Sequence, residues 1–245
     1  MQVDIFIPCF VDQLFPSTAV NMVKILRKVG CEVHYNTNQT CCGQAAFNAG
    51  YWKEAQEVGQ KFIKDFQTEH KVICPSASCV AYVKNYVNKL FQDTYPEERL
   101  AVDLGKKIIE FSDFLVNELK VTDVGASYLE RITYHDSCAA LRECDLKTEP
   151  RKLLQKVKGL ELIEADNCEV CCGFGGTFSS KFEPISVAMA EQKVEAALDL
   201  KVKSIVSTDL SCLMQLDAYI KYHNYPLSVL HIIDVLAQGQ NWNLD

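Results

Sequence analysis

The sequence predicts an α/β fold made of two homologous halves, each a Rossmann-like series of βα units, related by pseudo-twofold symmetry. Two observations lead to this prediction. Short apolar runs alternate with longer amphipathic segments, which is typical of parallel βα units. In addition, three cysteine landmarks of the first part of the chain recur in the same order in the second part. Such repetition indicates duplicated structural units.

The repeated landmarks are a lone cysteine, a Cys-Cys-Gly turn and a further lone cysteine. The corresponding positions are Cys9 and Cys138, Cys41-Cys42 and Cys171-Cys172, and Cys79 and Cys212. The offsets between them are 129, 130 and 133 positions, and KVICPSASC before the last landmark resembles KSIVSTDLSC in the second part. These offsets predict a first repeat at 1–122 and a second at 123–245.

In the first half, the apolar runs VDIFIP, CEVHYN and KVICP predict three strands. The segment 17–29 predicts a helix between the first two, ending at a glycine. A second helix is expected from the Cys-Cys-Gly turn to about 66, and a third over about 78–91. Apolar residues at 104, 108, 111 and 115 have helical spacing and predict one more core-facing helix.

In the second half, RITYHD, LELIEA, KSIVST and LSVLH predict strands, and the segment 184–200 predicts a helix with proline in its first turn. Every repeated cysteine then lies at the carboxyl end of a strand or at the start of the next helix. Ligand sites of open parallel sheets collect at that edge. The cysteines are therefore expected to converge on a bound group.

Composition narrows the class of function. The formal net charge of −7 gives no electrostatic reason to expect binding to nucleic acid or to an anionic membrane surface. No apolar run is long enough to span a bilayer, and the start MQVDIFIPCF lacks the basic region of a signal peptide. We therefore expect a cytoplasmic protein. In a reducing compartment, twelve cysteines favour metal binding or redox chemistry over disulfides.

Adjacent cysteines bear on the kind of metal. A zinc ion binds four ligands in a tetrahedron, usually from Cys-x₂₋₄-Cys pairs, and two consecutive residues strain to reach one ion together. The irons of a cluster face different directions, so each thiolate of a pair can bind a different iron, and soft thiolates suit such clusters. The pairs favour an iron–sulfur cluster, with zinc still open for one half.

Other residues have plainer interpretations. Cys31 and Cys74 are expected to be buried apolar side chains, since a lone cysteine behaves as a small hydrophobic residue. Cys144 is also expected to be inert, whereas Cys168 lies close enough to the second pair to be an extra ligand. His135, with Asp136, is either a proton-handling pair and thus a candidate catalytic residue, or a plain strand end. His231 is expected to be structural.

The phrases CCGQAAFNAGY, PSASC, CCGFGGTFS and SCLMQ resemble the cysteine-rich CCG-domain family of iron–sulfur proteins. That family includes the cysteine-rich subunit of heterodisulfide reductase and the iron–sulfur subunits of glycolate oxidase and of anaerobic glycerol-3-phosphate dehydrogenase. The resemblance extends over the whole chain to the members that serve lactate utilization.

The resemblance implies two ligand sets for [4Fe-4S] clusters, of either the conventional or the non-cubane type. The residues at the matching positions are Cys9, Cys41, Cys42 and Cys79 in one set and Cys138, Cys171, Cys172 and Cys212 in the other. It also implies an electron-transfer subunit of a complex that oxidises L-lactate to pyruvate, together with partners such as a ferredoxin-type iron–sulfur subunit. The alternatives are a thiol or disulfide reductase subunit and a zinc-bound scaffold without catalytic function.

The chain departs from the heterodisulfide reductase pattern in one respect. That pattern closes each motif with Cys-x-x-Cys, whereas Ser76 and Tyr82 flank Cys79 at this spacing, and Asp209 and Gln215 flank Cys212. Each half thus lacks one thiolate. A conventional four-iron cluster, or an iron left open for a substrate or for an oxygen ligand such as Asp209, is expected as readily as a non-cubane cluster.

Overall fold

The computed structural model describes residues 1–92, 94–240 and 242. It contains two four-stranded, all-parallel sheets with the same strand order, which confirms the predicted α/β class. The first sheet has the order β2-β1-β3-β4, with β1 Gln2–Ile5, β2 Glu32–Tyr35, β3 Lys71–Cys74 and β4 Ile108–Glu110. The second has the order β6-β5-β7-β8, with β5 Arg131–Tyr134, β6 Glu161–Leu162, β7 Ser204–Ser207 and β8 Ser228–His231.

Helices connect the strands. In the first half they are α1 Cys9–Leu14, α2 Pro16–Lys28, α3 Gln44–Asn48, α4 Trp52–Asp65, α5 Ala77–Asn85, α6 Glu97–Lys107 and α7 Phe111–Asp113. In the second half they are α8 Cys138–Glu143, α9 Thr148–Leu154, α10 Phe178–Lys181, α11 Glu183–Asp199, α12 Leu210–Tyr222 and α13 Ile232–Leu236. A 3-10 segment, Val87–Phe91, follows α5, and a π-helical segment, Phe114–Glu118, follows α7.

The helix predicted through 104–115 is wrong, although its four apolar residues are all buried as expected. The helix α6 ends at Lys107, and Ile108 and Ile109 pair in parallel with Val72 and Ile73 of β3. The two β-branched residues favour extended backbone, where they add a fourth strand at the edge of the first sheet. Residues spaced by three and four can be buried in either conformation.

The single helix expected between the first Cys-Cys-Gly turn and 66 is also wrong, because the structure divides it into α3 and α4. The break lies at Gly50, whose φ of +86° is left-handed and whose N–H donates to the carbonyl of Phe47 at 3.0 Å. A glycine adopts this conformation without steric cost, so it ends α3 and redirects the chain. The helix predicted over 78–91 likewise ends early, at Asn85.

The two halves share one core rather than standing apart. One buried cluster contains Val3 and Ile5 of the first sheet together with Ile132 and Val206 of the second. The closing segment of each half packs on the other half: α13 contacts α2, and α7 contacts α9. Because each half packs a segment on the other, the carboxyl edges of both sheets face a common cleft.

Hydrogen bonds strengthen the contact between α13 and α2. Asp234 accepts them from Thr18 Oγ1 at 2.7 Å and from Asn21 Nδ2 at 2.9 Å. Within the described residues, no helix combines the length and the apolar character needed to cross a bilayer.

Candidate metal centres

The eight repeated cysteines line one cleft of about 620 Å³ between the two halves. They are Cys9, Cys41, Cys42, Cys79, Cys138, Cys171, Cys172 and Cys212. Neither half forms this cleft alone, because the carboxyl ends of strands from both sheets open into it. The cysteines of each half remain neighbours within the cleft and form two separate sets.

Two helix starts and one turn assemble the first set. Cys9 begins α1 and Cys79 is the third residue of α5, so both lie in the first turn of a helix, where backbone N–H groups have no partner within the helix. The Sγ atoms of Cys9 and Cys41 lie 3.9 Å apart. Cys42 and Cys79 are buried whereas Cys9 is exposed, so one side of the set faces the open cleft.

The glycine after each cysteine pair shapes the turn. Gly43 and Gly173 have left-handed φ angles of +95° and +90°. The N–H of each glycine donates to Sγ of the first cysteine of its pair at 3.4 Å. A Cβ on Gly173 would lie only 2.5 Å from the carbonyl oxygen of Ser186. The turn therefore requires glycine both for its backbone angle and for its close approach to α11.

The second set repeats this construction with one additional donor. Cys138 begins α8 and Cys212 is the third residue of α12, as in the first half. The imidazole of His135 lies beside this set: one of its ring nitrogens and the Sγ atoms of Cys172 and Cys212 are all within 4.8 Å of one another. All three side chains are buried, so they form the enclosed wall of the second set.

Thiol–thiol hydrogen bonds lower the pKa of one cysteine in each set, Cys41 in the first and Cys171 in the second. The bond from Cys42 is the largest influence lowering the pKa of Cys41, and the bond from Cys138 does the same for Cys171. These bonds raise the pKa of the donating thiols, which stay protonated. A metal binds thiolates, so loading either set would release protons from these thiols.

His135 is 2% exposed, and among the described residues neither ring nitrogen has a hydrogen-bond partner. Burial, followed by the nearby charge of Lys193, lowers the pKa of His135 to about 3. The imidazole is therefore neutral at physiological pH, the form that binds metals. The structure places this candidate catalytic residue against the second cysteine set.

Asp136 is not hydrogen-bonded to the ring of His135. Its carboxylate accepts two hydrogen bonds from the guanidinium of Arg151, at 2.8 and 2.9 Å, and its side chain is fully buried. Arg151 also donates to Glu164 at 2.7 and 2.9 Å. This ion-pair network fixes the segment that leads from β5 to Cys138.

Lys193 is a site neighbour that the sequence reasoning missed. It is 5% exposed, and its ammonium group donates to the carbonyl oxygens of Asn167 and Cys168, the latter at 2.9 Å. Burial lowers its pKa to about 8. The available signal was a lysine in line with Ala190, Val194 and Ala197, which are buried on the inner face of α11. The lysine braces the loop before the second cysteine pair.

The other cysteines lie outside the two sets. Cys31 and Cys74 are buried in apolar clusters, as expected. Cys144 donates to the carbonyl oxygen of Ala77 at 3.7 Å. Cys168 is half-buried and does not line the cleft.

Asp209, which the sequence offered as an oxygen ligand, is a helix cap. It is 2% exposed and accepts hydrogen bonds from Ser211 Oγ at 2.7 Å in its own half and from the N–H of Ser78 at 2.9 Å in the other. It thus caps α12 and α5 together, where the two sets meet. The expected structural role of His231 fits its contacts: its ring is bonded to the carbonyl of Pro75, at 2.9 Å, and to the N–H of Ile233.

The donor chemistry of both sets fits a soft metal centre. Four cysteine sulfurs in each set suit iron–sulfur clusters and zinc alike. The 3.9 Å between Cys9 Sγ and Cys41 Sγ matches the sulfur spacing of about 3.8 Å around one tetrahedral metal with bonds of about 2.3 Å. In contrast, the volume of the shared cleft is larger than a closed site for a single metal ion needs.

Comparison with known sequences identifies the family. The profile of the CCG family, described as a cysteine-rich domain, matches the chain twice, at residues 3–84 and 132–217. The chain belongs to the CCG cysteine-rich family. Each match covers the first three strands of one sheet, leaving out β4 and β8, and together the two matches include every cysteine of the two sets.

Relatives match along nearly the whole chain. Lactate utilization protein A of Oceanobacillus iheyensis is 40% identical over 236 residues, which is 96% of each chain. Lactate utilization protein A 2 of Bacillus cereus is 36% identical over 98% of this chain and 100% of its own length. Among solved structures, a hypothetical protein from Helicobacter pylori covers 98% of this chain with a TM-score of 0.62 at 11% identity, a likeness of fold alone. This chain spans about half of that protein, 49% of its length.

Proposed function

We propose that this chain is the iron–sulfur electron-transfer subunit of a complex that oxidises L-lactate to pyruvate. The observation that supports this most is the convergence of two four-cysteine sets on one cleft, in a fold whose relatives are lactate utilization proteins. Each set would hold one cluster, the first through Cys9, Cys41, Cys42 and Cys79 and the second through Cys138, Cys171, Cys172 and Cys212. The clusters, when bound, supply one-electron redox chemistry.

The residues of the chain account for how such centres would be held. Helix starts and the glycine N–H groups next to the pairs direct hydrogen-bond donors at the thiolates, which stabilises a negatively charged centre. The ion pair of Asp136 with Arg151 keeps the second set in place, and so does the hydrogen bond from Lys193 to the carbonyl oxygen of Cys168.

Partners are part of this proposal. Oxidation of L-lactate to pyruvate releases two electrons and two protons, and the sequence has no GxGxxG or P-loop motif for a nucleotide cofactor of its own. The substrate-oxidising step and the final electron acceptor are therefore assigned to other subunits, including a ferredoxin-type iron–sulfur protein.

Two observations favour specific alternatives. The 3.9 Å between two sulfurs of the first set suits a single zinc ion, and thus a zinc-bound scaffold in at least that half. The 620 Å³ cleft between the sets has room for a small thiol or disulfide, which favours a reductase subunit acting at an open iron.

Anaerobic purification followed by iron, acid-labile sulfide and zinc analysis distinguishes these functions. We expect a brown protein with iron and sulfide, and an electron paramagnetic resonance signal after reduction. The Cys31→Ser variant, altered outside the sets, serves as the control and should keep its iron. A colourless protein with stoichiometric zinc in both sets would refute the electron-transfer proposal and support the scaffold.

A further inference from the structure

Among the described residues, the contacts of the His135 imidazole reveal no role for its ring nitrogens in the fold. Both ring nitrogens are buried and, within the described part of the chain, unpartnered. Burying a polar ring without partners opposes folding, so such a side chain in a well-packed site calls for a ligand. His231 gives the contrast: it is equally buried, but both of its nitrogens are hydrogen-bonded.

The surroundings of His135 identify the kind of ligand. Its donor nitrogen and the sulfurs of Cys172 and Cys212 lie within 4.8 Å of one another, which is the spacing of groups that can share one metal or one face of a small cluster. A neutral imidazole and two thiolates are donors that iron and zinc both accept. Carboxylate ligands, which would favour harder metals, are not part of this group.

The first half has no counterpart to this imidazole. The equivalent residue is Phe6: its N–H donates to Ile73 at 3.0 Å in the first sheet, as that of His135 donates to Val206 at 2.8 Å in the second. Phe6 packs in the same buried cluster as Cys42 and Cys79. Its ring stacks edge-on against Phe62, with centroids 4.7 Å apart. The duplicated sites thus differ at this position, with a phenyl ring in one half and an imidazole in the other.

We propose that a ring nitrogen of His135 is a ligand of the metal centre in the second half, which makes that centre a mixed nitrogen–sulfur site while the first binds through thiolates alone. The inference rests on the proposed function only in that the cysteine sets bind metal. Histidine ligands raise the reduction potential of an iron–sulfur centre relative to an all-cysteine one. The second centre is therefore the more oxidising of the two.

The test uses the full-length chain, purified or reconstituted without oxygen and labelled with ¹⁵N-histidine. Electron–nuclear double resonance of the reduced protein should show a directly bound ¹⁵N nucleus. The coupling should disappear in His135→Phe, which copies the first half, and persist in the control Phe6→Leu. A redox titration should show the higher of two potentials fall in His135→Phe and stay in place in Phe6→Leu.

The wild-type spectrum decides the question even if a variant does not fold. A loaded iron–sulfur protein without nitrogen coupling would overturn the assignment of His135 while leaving the proposed function intact. If the protein carries zinc instead, the electron-transfer proposal fails, and X-ray absorption at the zinc edge tests the ligand directly. One nitrogen in the second-half site, lost in His135→Phe, would support the assignment, and an all-sulfur zinc site would refute it.

Discussion

Substituting Gly173 by alanine tests whether the turn after the second cysteine pair controls metal binding. The φ of +90° is unfavourable for a residue with a Cβ, at a cost of roughly 1–2 kcal/mol. The new Cβ would also lie 2.5 Å from the backbone oxygen of Ser186, a contact that only movement of the turn or of α11 can relieve. Adding a clash of roughly 1–3 kcal/mol gives a total loss of roughly 2–5 kcal/mol in the free energy of unfolding.

Gly50 provides the matched control. Its φ of +86° is nearly the same, but a Cβ there would meet nothing within 4 Å, so Gly50→Ala should cost only the backbone part, roughly 1–2 kcal/mol. Because Cys171 and Cys172 lie on the turn, Gly173→Ala should also lower the metal content of the second half, whereas Gly50→Ala should not.

Urea unfolding of the two variants, with metal analysis of each, measures both effects. The difference between them isolates the close approach to Ser186 from the backbone angle that they share. Equal stabilities for the two variants, together with full metal content in Gly173→Ala, would refute the reasoning about this turn.

Three further predictions concern the cysteine pair, the buried ion pair and a buried carboxyl group. Cys172→Ser should reduce the metal content to that of the first half without unfolding the chain; a double variant lacking both Cys171 and Cys172 that retains full metal would show the pair to be structural. Arg151→Leu leaves the buried carboxylate of Asp136 unpaired and should cost roughly 3–5 kcal/mol in urea unfolding. Lys147→Ala, in the exposed pair with Glu169, should cost much less because solvent screens that pair, and similar losses for the two variants would contradict the role given to burial. Burial raises the pKa of Glu110 from its ordinary value of 4.5 to about 8. Between these two pH values the folded state keeps a proton on Glu110 that the unfolded state releases. The wild type should therefore lose stability relative to Glu110→Gln as pH rises from about 5 to 8, by at most about 1.4 kcal/mol per pH unit. Urea unfolding at several pH values measures this loss, and parallel pH profiles for the two proteins would exclude it.

Much of the fold and of the candidate site could be predicted from local sequence patterns. The apolar runs that form β1, β3, β5 and β7 lie close to their predicted positions, because a buried parallel strand is a short continuous hydrophobic segment. Repetition singled out the eight cysteines as candidates, and the family resemblance implied their division into two ligand sets. Duplication preserves both a residue and its place in the βα unit, so it could be read without knowledge of how the halves pack.

Tertiary structure decided what local patterns leave open. Ile108 and Ile109 could have been buried in a helix or in a strand. They form a strand because the edge of β3 offers backbone groups with which they pair. The side chain of Asp209 caps two helices, and its hydrogen bond with Ser78 joins residues 131 positions apart. The packing of the two sheets sets this contact.

The sequence by itself therefore determined the α/β class, the duplication and the set of candidate metal-binding cysteines, because these depend on neighbouring residues and on spacing. Only the tertiary structure decided that both sets open into one cleft and that His135, but not Asp136, lies free beside Cys172 and Cys212. The physical reason is that proximity between distant segments, and the satisfaction of a buried polar group, depend on how whole elements pack. Two adjacent residues, His135 and Asp136, consequently have opposite surroundings: one is paired with Arg151, and the other faces the second cysteine set.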